Sequence, residues 1–390
     1  MGSPTLITFN AGSSTIKLGL FEHDGGPPRR FGKGLVDLRH EPLTLHVSEG
    51  AETIDVPLGA KAAEELDDVV AETLDVLATH FDHGAIALAG HRIVHGGDRF
   101  DGPVRLDDDS IAGIEALVPL APLHQPQGLR LIRALRRLRP ELPQTASFDT
   151  AFHRTQSDAA RRFALPREWF DRGVKRYGFH GLSYAFIAGA LQRIAPEVAK
   201  GKVVVAHLGS GASLCALDGG ASQATSMSFS TLDGIVMATR PGALDPGVVL
   251  HLAKNGLSIE AIEDMLYHRS GLLGLSGISA DARVLAESAA PAAHEALDQF
   301  AREIAATAAS YGAVLEGLDV LVFTAGIGEH QPAVRAAVCR RLGFLGLAID
   351  AAKNAANAER IDAPGSSVAV FVIATDEEQV IAEEAAGLVR

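Results

Sequence analysis

The sequence has few cysteines and few aromatic residues. Its two cysteines, Cys215 and Cys339, have no neighbours at metal-ligand spacing, which argues against a cysteine metal site and a disulfide framework. We expect both to be reduced residues of the core. Only 5% of the 390 residues are aromatic, but 47% are hydrophobic, which is enough to bury a large core and is not typical of disorder.

Positive charge and long hydrophobic runs are also scarce. The 35 lysines and arginines are outnumbered by 48 acidic residues, and the net charge of −13 disfavours nucleic acid and anionic membranes as partners. The one basic cluster, "LRLIRALRRLRP" (129–140), predicts the solvated face of an amphipathic helix. No hydrophobic run approaches the roughly 18 residues of a membrane span, and the start lacks a secretory-signal pattern. We therefore expect a cytoplasmic protein without nucleic acid or membrane partners.

Strand and helix patterns alternate along the chain, and the opening pattern returns later. The segment "TLITFNAGSSTIKLGLF" (5–21) predicts an apolar strand, a turn of small polar residues and a second strand. The segment "VVVAHLGSGASLCALDGG" (203–220) repeats it, with Gly209 in the place of Gly12. A helical pattern covers 61–80. Because the length exceeds what one core usually supports, the sequence predicts an α/β protein of two related domains.

Glycines and small hydroxyl residues recur where apolar strands end. A third strand, in "VLVFTAGIGEH" (320–330), is followed by Gly326, Ile327 and Gly328, which predict another turn, with a helix from Gln331 onward. Such turns let backbone N–H groups approach an anion closely, and three of them suit a polyphosphate. None matches the G-x-x-x-x-G-K-[ST] pattern, so a P-loop protein is excluded.

Ten motifs, taken in order, resemble one family along essentially the whole chain. They are "NAGSSTIK" (10–17), "GHRIVHGG" (90–97), "APLHQP" (121–126), "FDTAFH" (148–153), "YGFHGLSY" (177–184), "HLGSGAS" (207–213), "TRPGALDPG" (239–247), "GISADAR" (277–283), "AGIGEH" (325–330) and "TDEE" (375–378). The chain is similar to the acetate and propionate kinase family, within the superfamily of actin, heat-shock chaperones and sugar kinases.

The resemblance implies a fold and a reaction. The fold would be a duplicated ribonuclease H-like, actin-like ATPase fold with an active-site cleft between the domains. Residues 1–150 would form an acyl-substrate domain on which a C-terminal helix, about 377–390, packs back, and residues 151–376 would form the nucleotide-binding domain. The reaction would be a reversible, Mg²⁺- or Mn²⁺-dependent, direct in-line phosphoryl transfer from ATP to acetate, giving ADP and acetyl phosphate. The alternative within the family is a kinase of propionate or another short-chain acid. A homodimer is expected.

The resemblance also assigns roles to individual residues. Arg92 would hold the substrate carboxylate, Arg240 and His180 would stabilise the transferring phosphoryl group, and Asp149 would position the metal or its water. The metal ligands would be Asn10 and Glu377. The acyl group would lie among Val94, Leu123, Phe179 and Thr231. The nucleotide would be bound by Ser13, Thr15, Lys17, His207, Leu208, Gly209, Ser210, Gly211, Asp281, Ala282, Arg283, Gly326, Ile327, Gly328, Glu329 and His330.

This residue set fits the chemistry on independent grounds. A carboxylic acid acceptor has a pKa of about 4 and is already ionised at neutral pH, so no general base is required. Cationic groups are required instead, because they offset the repulsion between the ionised acceptor and the negatively charged phosphoryl group. Singly, the histidines and arginines could be structural, and a sugar kinase or a chaperone-like nucleotide switch remains an alternative. The chain departs from the family pattern where it has Ser210, Thr231, Ala282, Ala325, His330 and Asp376.

Overall fold

The computed structural model of the chain describes residues 3–12, 15–38, 43–50, 52–60, 66–80 and 84–389. It divides into two compact units. Unit 1 comprises Met1–Phe152 and Asp376–Arg390, and unit 2 comprises His153–Thr375. The C-terminal segment therefore belongs to the same unit as the N-terminal half of the chain.

Strands and helices alternate in both units. The strands are β1 (Thr5–Ala11), β2 (Thr15–Glu22), β3 (Arg29–Asp37), β4 (Thr44–Glu49), β5 (Glu52–Pro57), β6 (Ile86–Ile93), β7 (Val104–Arg105), β8 (Gln144–Phe148), β9 (Lys202–Leu208), β10 (Ala212–Asp218), β11 (Ala221–Thr225), β12 (Val320–Thr324) and β13 (Ala369–Val372). The α-helices are α1 (Leu66–His80), α2 (Asp108–Glu115), α3 (Gln125–Leu138), α4 (Asp158–Arg161), α5 (Arg167–Asp171), α6 (Gly181–Ile194), α7 (Pro196–Ala199), α8 (Pro246–Lys254), α9 (Ile259–His268), α10 (Gly271–Ser276), α11 (Ala282–Glu287), α12 (Pro291–Val314), α13 (Ala325–His330), α14 (Pro332–Arg341), α15 (Ala351–Ala355) and α16 (Glu377–Leu388). Short 3-10 helices cover Val118–Leu120, Ala151–Thr155 and Gly343–Leu345.

The two sheets share one central topology. In unit 1 the strand order is β5-β4-β3-β2-β1-β6-β8-β7, and in unit 2 it is β11-β10-β9-β12-β13. In unit 1, β3, β2 and β1 are antiparallel neighbours, while β1, β6 and β8 are parallel. In unit 2, β11, β10 and β9 are antiparallel, while β9, β12 and β13 are parallel. The sequence repeat thus corresponds to a repeated five-strand fold, which confirms the predicted fold class.

Both faces of the unit 1 sheet are covered. One face packs with α1 and α3 around a core that includes Ile7, Leu18, Val70 and Leu135. On the other face, alanines of α16 pack against Leu6, Phe21 and Leu88. Small residues allow this close approach: a Cβ on Gly90 of β6 would lie 2.7 Å from Ile381 Cγ2. The C-terminal helix is therefore part of the unit 1 core.

The helix predicted over 61–80 is present from Leu66 to His80, and 61–65 lie outside the described residues. Two other predictions differ from the structure. The predicted turn at Gly326, Ile327 and Gly328 is wrong, since these residues lie within α13, which starts directly after β12. Two glycines weaken intrinsic helix propensity, so the pattern alone favoured a turn. The helix after it starts at Pro332 rather than Gln331, because proline suits the first helical turn.

The two cysteines and the arginine-rich segment lie where the sequence predicts them. Cys215 and Cys339 are both free and buried, and burial raises the pKa of each thiol to about 12. The arginine-rich segment forms α3, with Leu129, Ile132 and Leu135 buried and its arginines outward. Among the described residues, none of the helices combines the length and apolar character that crossing a membrane requires.

Candidate active site

A first group of predicted site residues lies at one edge of the unit 1 sheet. Strands β1, β6 and β8 are adjacent and parallel, so their carboxyl ends meet at the same edge. Asn10 stands near the end of β1, Arg92 near the end of β6, and Asp149 directly after β8. Glu377 and Glu378 form the first turn of α16, which packs against these strands. The topology therefore brings together residues more than 360 positions apart.

Hydrogen bonds join these five side chains into one network, the acidic cluster. Arg92 donates from Nε to Asp149 Oδ1 at 2.9 Å and from Nη2 to Asp149 Oδ2 at 2.6 Å. Its Nη1 donates to Asn10 Oδ1 at 3.0 Å. Asn10 Nδ2 in turn donates to Glu377 Oε2 at 2.9 Å and to Glu378 Oε1 at 2.8 Å. The bidentate arginine pair fixes both its partners in orientation.

Charge in the acidic cluster is unbalanced toward the negative. Burial would lower the pKa of Arg92, but the neighbouring charges of Asp149, Glu377 and Glu378 outweigh burial and raise it above its ordinary value. Asp149 is only 1% exposed, so the positive charge of Arg92 is needed to stabilise its buried carboxylate. The Arg92 guanidinium thus stands among three carboxylates, one of which, Glu378, also lies 4.0 Å from the guanidinium of Arg30.

The donor set of the acidic cluster fits Mg²⁺ or Mn²⁺ chemically. Carboxylate and amide oxygens are the ligands that such hard cations prefer, and an excess of negative charge favours binding. Within the described ranges, however, no three His, Cys, Asp or Glu side chains stand at metal-binding distances from one another. Asn10 directs Nδ2, not Oδ1, toward Glu377 and Glu378, so the amide would have to turn over to offer its oxygen to an ion held by them.

The turn between β1 and β2 lies beside the acidic cluster. Gly12 N donates to the Thr15 carbonyl at 2.8 Å, and Lys17 stands opposite Asn10 in the β1–β2 register. Lys17 is exposed and borders a cavity of about 350 Å³ that Glu378 also lines. Ser13, predicted to bind the nucleotide, lies outside the described residues.

A second group of predicted site residues lies in unit 2, at the start of α6. His180 precedes the helix with φ of 57°, a left-handed conformation that costs about 1–2 kcal/mol in a residue with a side chain. Strain of this kind is found mainly where function requires it. The His180 ring stacks on that of His207 at the end of β9, with ring centroids 4.1 Å apart. Its Nδ1 lies 2.8 Å from Ser213 Oγ of β10.

Gly211 lies where His180 and Arg240 converge. A Cβ on this residue would be 2.8 Å from Arg240 Nη2 and 3.3 Å from His180 Nε2, so a side chain would displace both groups. Arg240 Nη1 donates to the Thr231 carbonyl at 2.8 Å. Burial lowers the pKa of Arg240, and over the described part of the chain no carboxylate forms an ion pair with it. The guanidinium therefore keeps an uncompensated charge.

The turn between β9 and β10 presents its backbone at this point. Gly209 N donates to the Gly211 carbonyl at 3.1 Å, while Leu208 is fully buried and Ser210 is exposed. The Ser210 carbonyl accepts from Ala238 N at 3.1 Å. The predicted phosphate turn is thus attached to the loop that carries Arg240.

The remaining predicted nucleotide residues lie on two short helices of unit 2. Asp281 caps α11, and its carboxylate accepts from both the backbone N of Arg283, at 2.8 Å, and the guanidinium, at 2.6 Å. Ala282 is buried, whereas the Arg283 side chain is exposed. The other five, Gly326, Ile327, Gly328, Glu329 and His330, all belong to α13.

Helix α13 is held by a buried arginine and begins at a strained residue. Arg335 is fully buried, and its Nη1 donates to the carbonyls of Gly328 at 2.8 Å and Glu329 at 2.9 Å. Ala325 has φ of 65°, a conformation that favours glycine. The resemblance described above implies glycine at this position, so the alanine found here carries a local conformational cost.

The four residues predicted to surround the acyl group differ in exposure. Val94 and Phe179 are buried, at 7% and 1% exposure, whereas Leu123 is 42% exposed. Val94 and Leu123 belong to unit 1, and Phe179 and Thr231 to unit 2. Their common role in binding an acyl group stays a prediction.

Several residues with direct contacts to these groups were not predicted. Glu378 hydrogen-bonds Asn10 as closely as Glu377 does, and the repeated acidic residue in "TDEE" was the available signal. Asp376 forms a bidentate pair with Arg30, at 2.6 Å for both contacts, and caps α16. Ser213 and Tyr184 lie within the predicted motifs but had no predicted role, although Ser213 contacts His180 and Tyr184 contacts Ser213.

Comparison with known proteins gives one consistent result. The sequence profile described as the Acetokinase family matches residues 5–383. An acetate kinase of Rhodopseudomonas palustris is 47% identical over 388 residues, covering 97% of both chains. One of Nitrobacter hamburgensis is 45% identical, covering 98% of this chain and 96% of its own.

Solved structures agree. A propionate kinase from Francisella tularensis superimposes with a TM-score of 0.91 at 34% identity, covering 99% of this chain and all of its own. Porphyromonas gingivalis acetate kinase gives a TM-score of 0.89 at 32% identity, covering 100% of both chains. The duplicated sheets and these neighbours define a kinase, a phosphotransferase with the actin-like fold. Within that class, the chain belongs to the acetokinase family.

Proposed function

We propose that the chain transfers the γ-phosphoryl group of ATP reversibly to acetate, giving ADP and acetyl phosphate. The observation that carries this proposal is the convergence of Arg240 Nη2 and His180 Nε2 at Gly211, with no described carboxylate paired to the arginine. A buried arginine with an imidazole beside it can stabilise the negative charge of a transferring phosphoryl group. An acceptor that is already ionised needs no general base at that point. Acetate is proposed as the acceptor because the relatives are named acetate kinases.

The acidic cluster supplies the second part of the proposal. Asn10 and Glu377 would hold Mg²⁺ or Mn²⁺, and the bound ion would neutralise charge on the nucleotide phosphates. Arg92 would bind the acceptor carboxylate through its planar fork, and Asp149 fixes the orientation of that fork. A sugar kinase would need Asp149 as its base, but both its oxygens already accept from Arg92.

The remaining predicted residues would bind the nucleotide. The backbone of the turn from His207 to Gly211 would bind phosphate, together with Thr15 and Lys17. Asp281 to Arg283 and the residues of α13 would border the adenosine. We further propose that the protein acts in the cytoplasm as a homodimer, as its family suggests.

The acceptor is expected to be acetate rather than propionate. Val94 keeps a branched, buried side chain at the predicted acyl position. A hydrophobic pocket discriminates one methylene by about 1–3 kcal/mol, so acetate should be preferred by roughly tenfold or more in kcat/KM. Val94→Ala should narrow that preference. A wild-type enzyme that prefers propionate would favour the alternative within the family.

Trapping with hydroxylamine tests the activity directly. With ATP, Mg²⁺ and acetate, the protein should form acetyl phosphate, which hydroxylamine converts to a coloured hydroxamate. Parallel reactions with propionate, with butyrate and with a sugar give the acceptor range, and ADP release is measured in each. ADP release with the sugar and no hydroxamate with any acid would reject the proposal.

A further inference from the structure

Each histidine of the stacked pair in unit 2, His180 and His207, contacts the first of two hydrogen-bonded hydroxyl groups through its Nδ1 atom. His180 Nδ1 lies 2.8 Å from Ser213 Oγ, which lies 2.5 Å from the Tyr184 hydroxyl. His207 Nδ1 lies 2.8 Å from Ser183 Oγ, which lies 2.9 Å from Thr375 Oγ1. All of these contacts lie within unit 2.

Local geometry explains why the two chains run side by side. Ser183 and Tyr184 are the third and fourth residues after His180, so they lie one helical turn below it on α6. Ser213 and His207 are direct partners in the antiparallel β9–β10 register. The motif letters "HGLSY" and "HLGSGAS" therefore place three hydroxyl groups against two imidazole rings.

The chemistry of the hydroxyls gives the His180 chain a direction. A phenol is a more acidic donor than an alcohol, so the hydrogen between Tyr184 and Ser213 belongs with Tyr184. Burial raises the pKa of Tyr184 well above its ordinary value, so the phenol keeps that hydrogen at neutral pH. Ser213 is fully buried, and with one lone pair used by Tyr184 it can direct its own hydrogen to His180 Nδ1.

We propose that Tyr184 and Ser213 are positioning residues that fix His180 as the neutral tautomer with its proton on Nε2. Nε2 is the atom that faces Gly211 beside Arg240 Nη2. In this form it presents an N–H donor to an oxygen at that point, and the hydroxyl chain prevents the ring from flipping. The inference rests on the proposed role of His180 toward the transferring phosphoryl group.

The test joins kinetics to a direct view of the ring nitrogens. Tyr184→Phe removes one hydroxyl and keeps the ring, and Ser213→Ala removes the other. Losing a hydrogen bond to a neutral group should lower kcat by roughly two- to tenfold, with KM for acetate and ATP changed by less than about twofold. Ser213→Thr keeps the hydroxyl and should recover much of the loss relative to Ser213→Ala.

The tautomer is read from ¹⁵N-histidine spectra of the full-length protein, with the His180 signal assigned by its loss in His180→Gln. We expect the proton on Nε2 in the wild type, and a mixed or Nδ1-protonated signal in Tyr184→Phe and Ser213→Ala. A merely structural role would lower the melting temperature without moving this signal. Unchanged tautomer and unchanged kcat in both variants would overturn the inference.

A matched serine–histidine pair provides the control. His153 Nδ1 lies 2.8 Å from Ser222 Oγ in the same unit, and both residues are buried. Ser222→Ala should therefore lower the melting temperature but leave kcat within about twofold. The His180→Gln variant distinguishes failure of the proposed function from failure of this inference. A wild-type kcat in His180→Gln would reject the proposed role of His180 and this inference with it. A large loss of kcat in His180→Gln together with a wild-type kcat in Tyr184→Phe would reject this inference alone.

Discussion

The acidic cluster of unit 1 and the site in unit 2 where His180 and Arg240 converge at Gly211 stand on the same five-strand topology but differ in charge. In unit 1, Arg92 is surrounded by three carboxylates and its pKa is raised. In unit 2, Arg240 has a backbone carbonyl as partner and its pKa is lowered by burial. The same residue type is therefore neutralised in one unit and left charged in the other.

This difference gives Arg92 a structural task in addition to the binding role proposed for it, whereas the task proposed for Arg240 is chemical alone. A buried ion pair must stay intact because removing one partner leaves an uncompensated charge. An arginine without a carboxylate partner costs free energy to bury, but that unused charge can interact with an anion from outside. The two arginines should therefore respond differently to the same substitution.

The largest expected effect is on catalysis. Arg240→Ala should lower kcat/KM for acetate by roughly 10³-fold or more, because an arginine that stabilises phosphoryl charge is worth about that much. Arg240→Lys should rescue little, since a point charge does not replace the planar fork. Steady-state kinetics measures both. Wild-type-like turnover of Arg240→Ala would remove this arginine from the mechanism.

A smaller effect concerns stability and sharpens the comparison directly. Arg92→Ala should also lose activity severely, but in addition it should destabilise unit 1 by about 3 kcal/mol, since it removes the cation that forms a bidentate ion pair with buried Asp149. Arg240→Ala removes no ion pair and should unfold near the wild-type temperature. Thermal unfolding of the three proteins under one condition tests this. Equal melting temperatures for the two alanine variants would mean that the pair with Asp149 contributes little.

The metal requirement should change by a moderate amount. Glu377→Gln should raise the Mg²⁺ concentration for half-maximal rate by roughly tenfold, because one hard anionic oxygen is lost from the cluster. Glu383→Gln on the same helix is the matched control, since Glu383 is exposed and bonds Gln379. Mg²⁺ titrations of activity compare the two. Identical curves would assign Glu377 to the helix terminus alone.

The smallest effect is local. Ala325→Gly should stabilise the protein by up to about 1 kcal/mol, because it removes the cost of φ at 65° and that gain exceeds the added freedom of the unfolded chain. Gly326→Ala, one residue later, is the comparison, since a Cβ there would meet no atom within 4 Å. Urea unfolding gives the sign. Destabilisation by Ala325→Gly would show that the position carries no strain.

Part of the site could be anticipated from the sequence because its residues follow buried strands. Asn10, Arg92 and Asp149 each stand near the end of a buried strand, and this pattern is local. The double acid in "TDEE" could have indicated Glu378 as well. The helix over Ala325–His330 could not be anticipated, because its glycines favour a turn and only the packing that holds it, including Arg335, makes it helical.

The sequence by itself determined the family, the α/β alternation and the repeat, because motif order and hydrophobic period depend only on neighbours along the chain. Only the tertiary structure decided which charges are compensated. Asp149 is 57 positions from Arg92, and Glu378 is 368 positions from Asn10, yet each pair is in contact. Such contacts depend on strand order and on the packing of α16, which no local pattern encodes. For the same reason, the contact between His180 and Ser213 could not be predicted from the motif that contains His180. Ser213 is placed there by the β9–β10 register, in which it lies opposite His207.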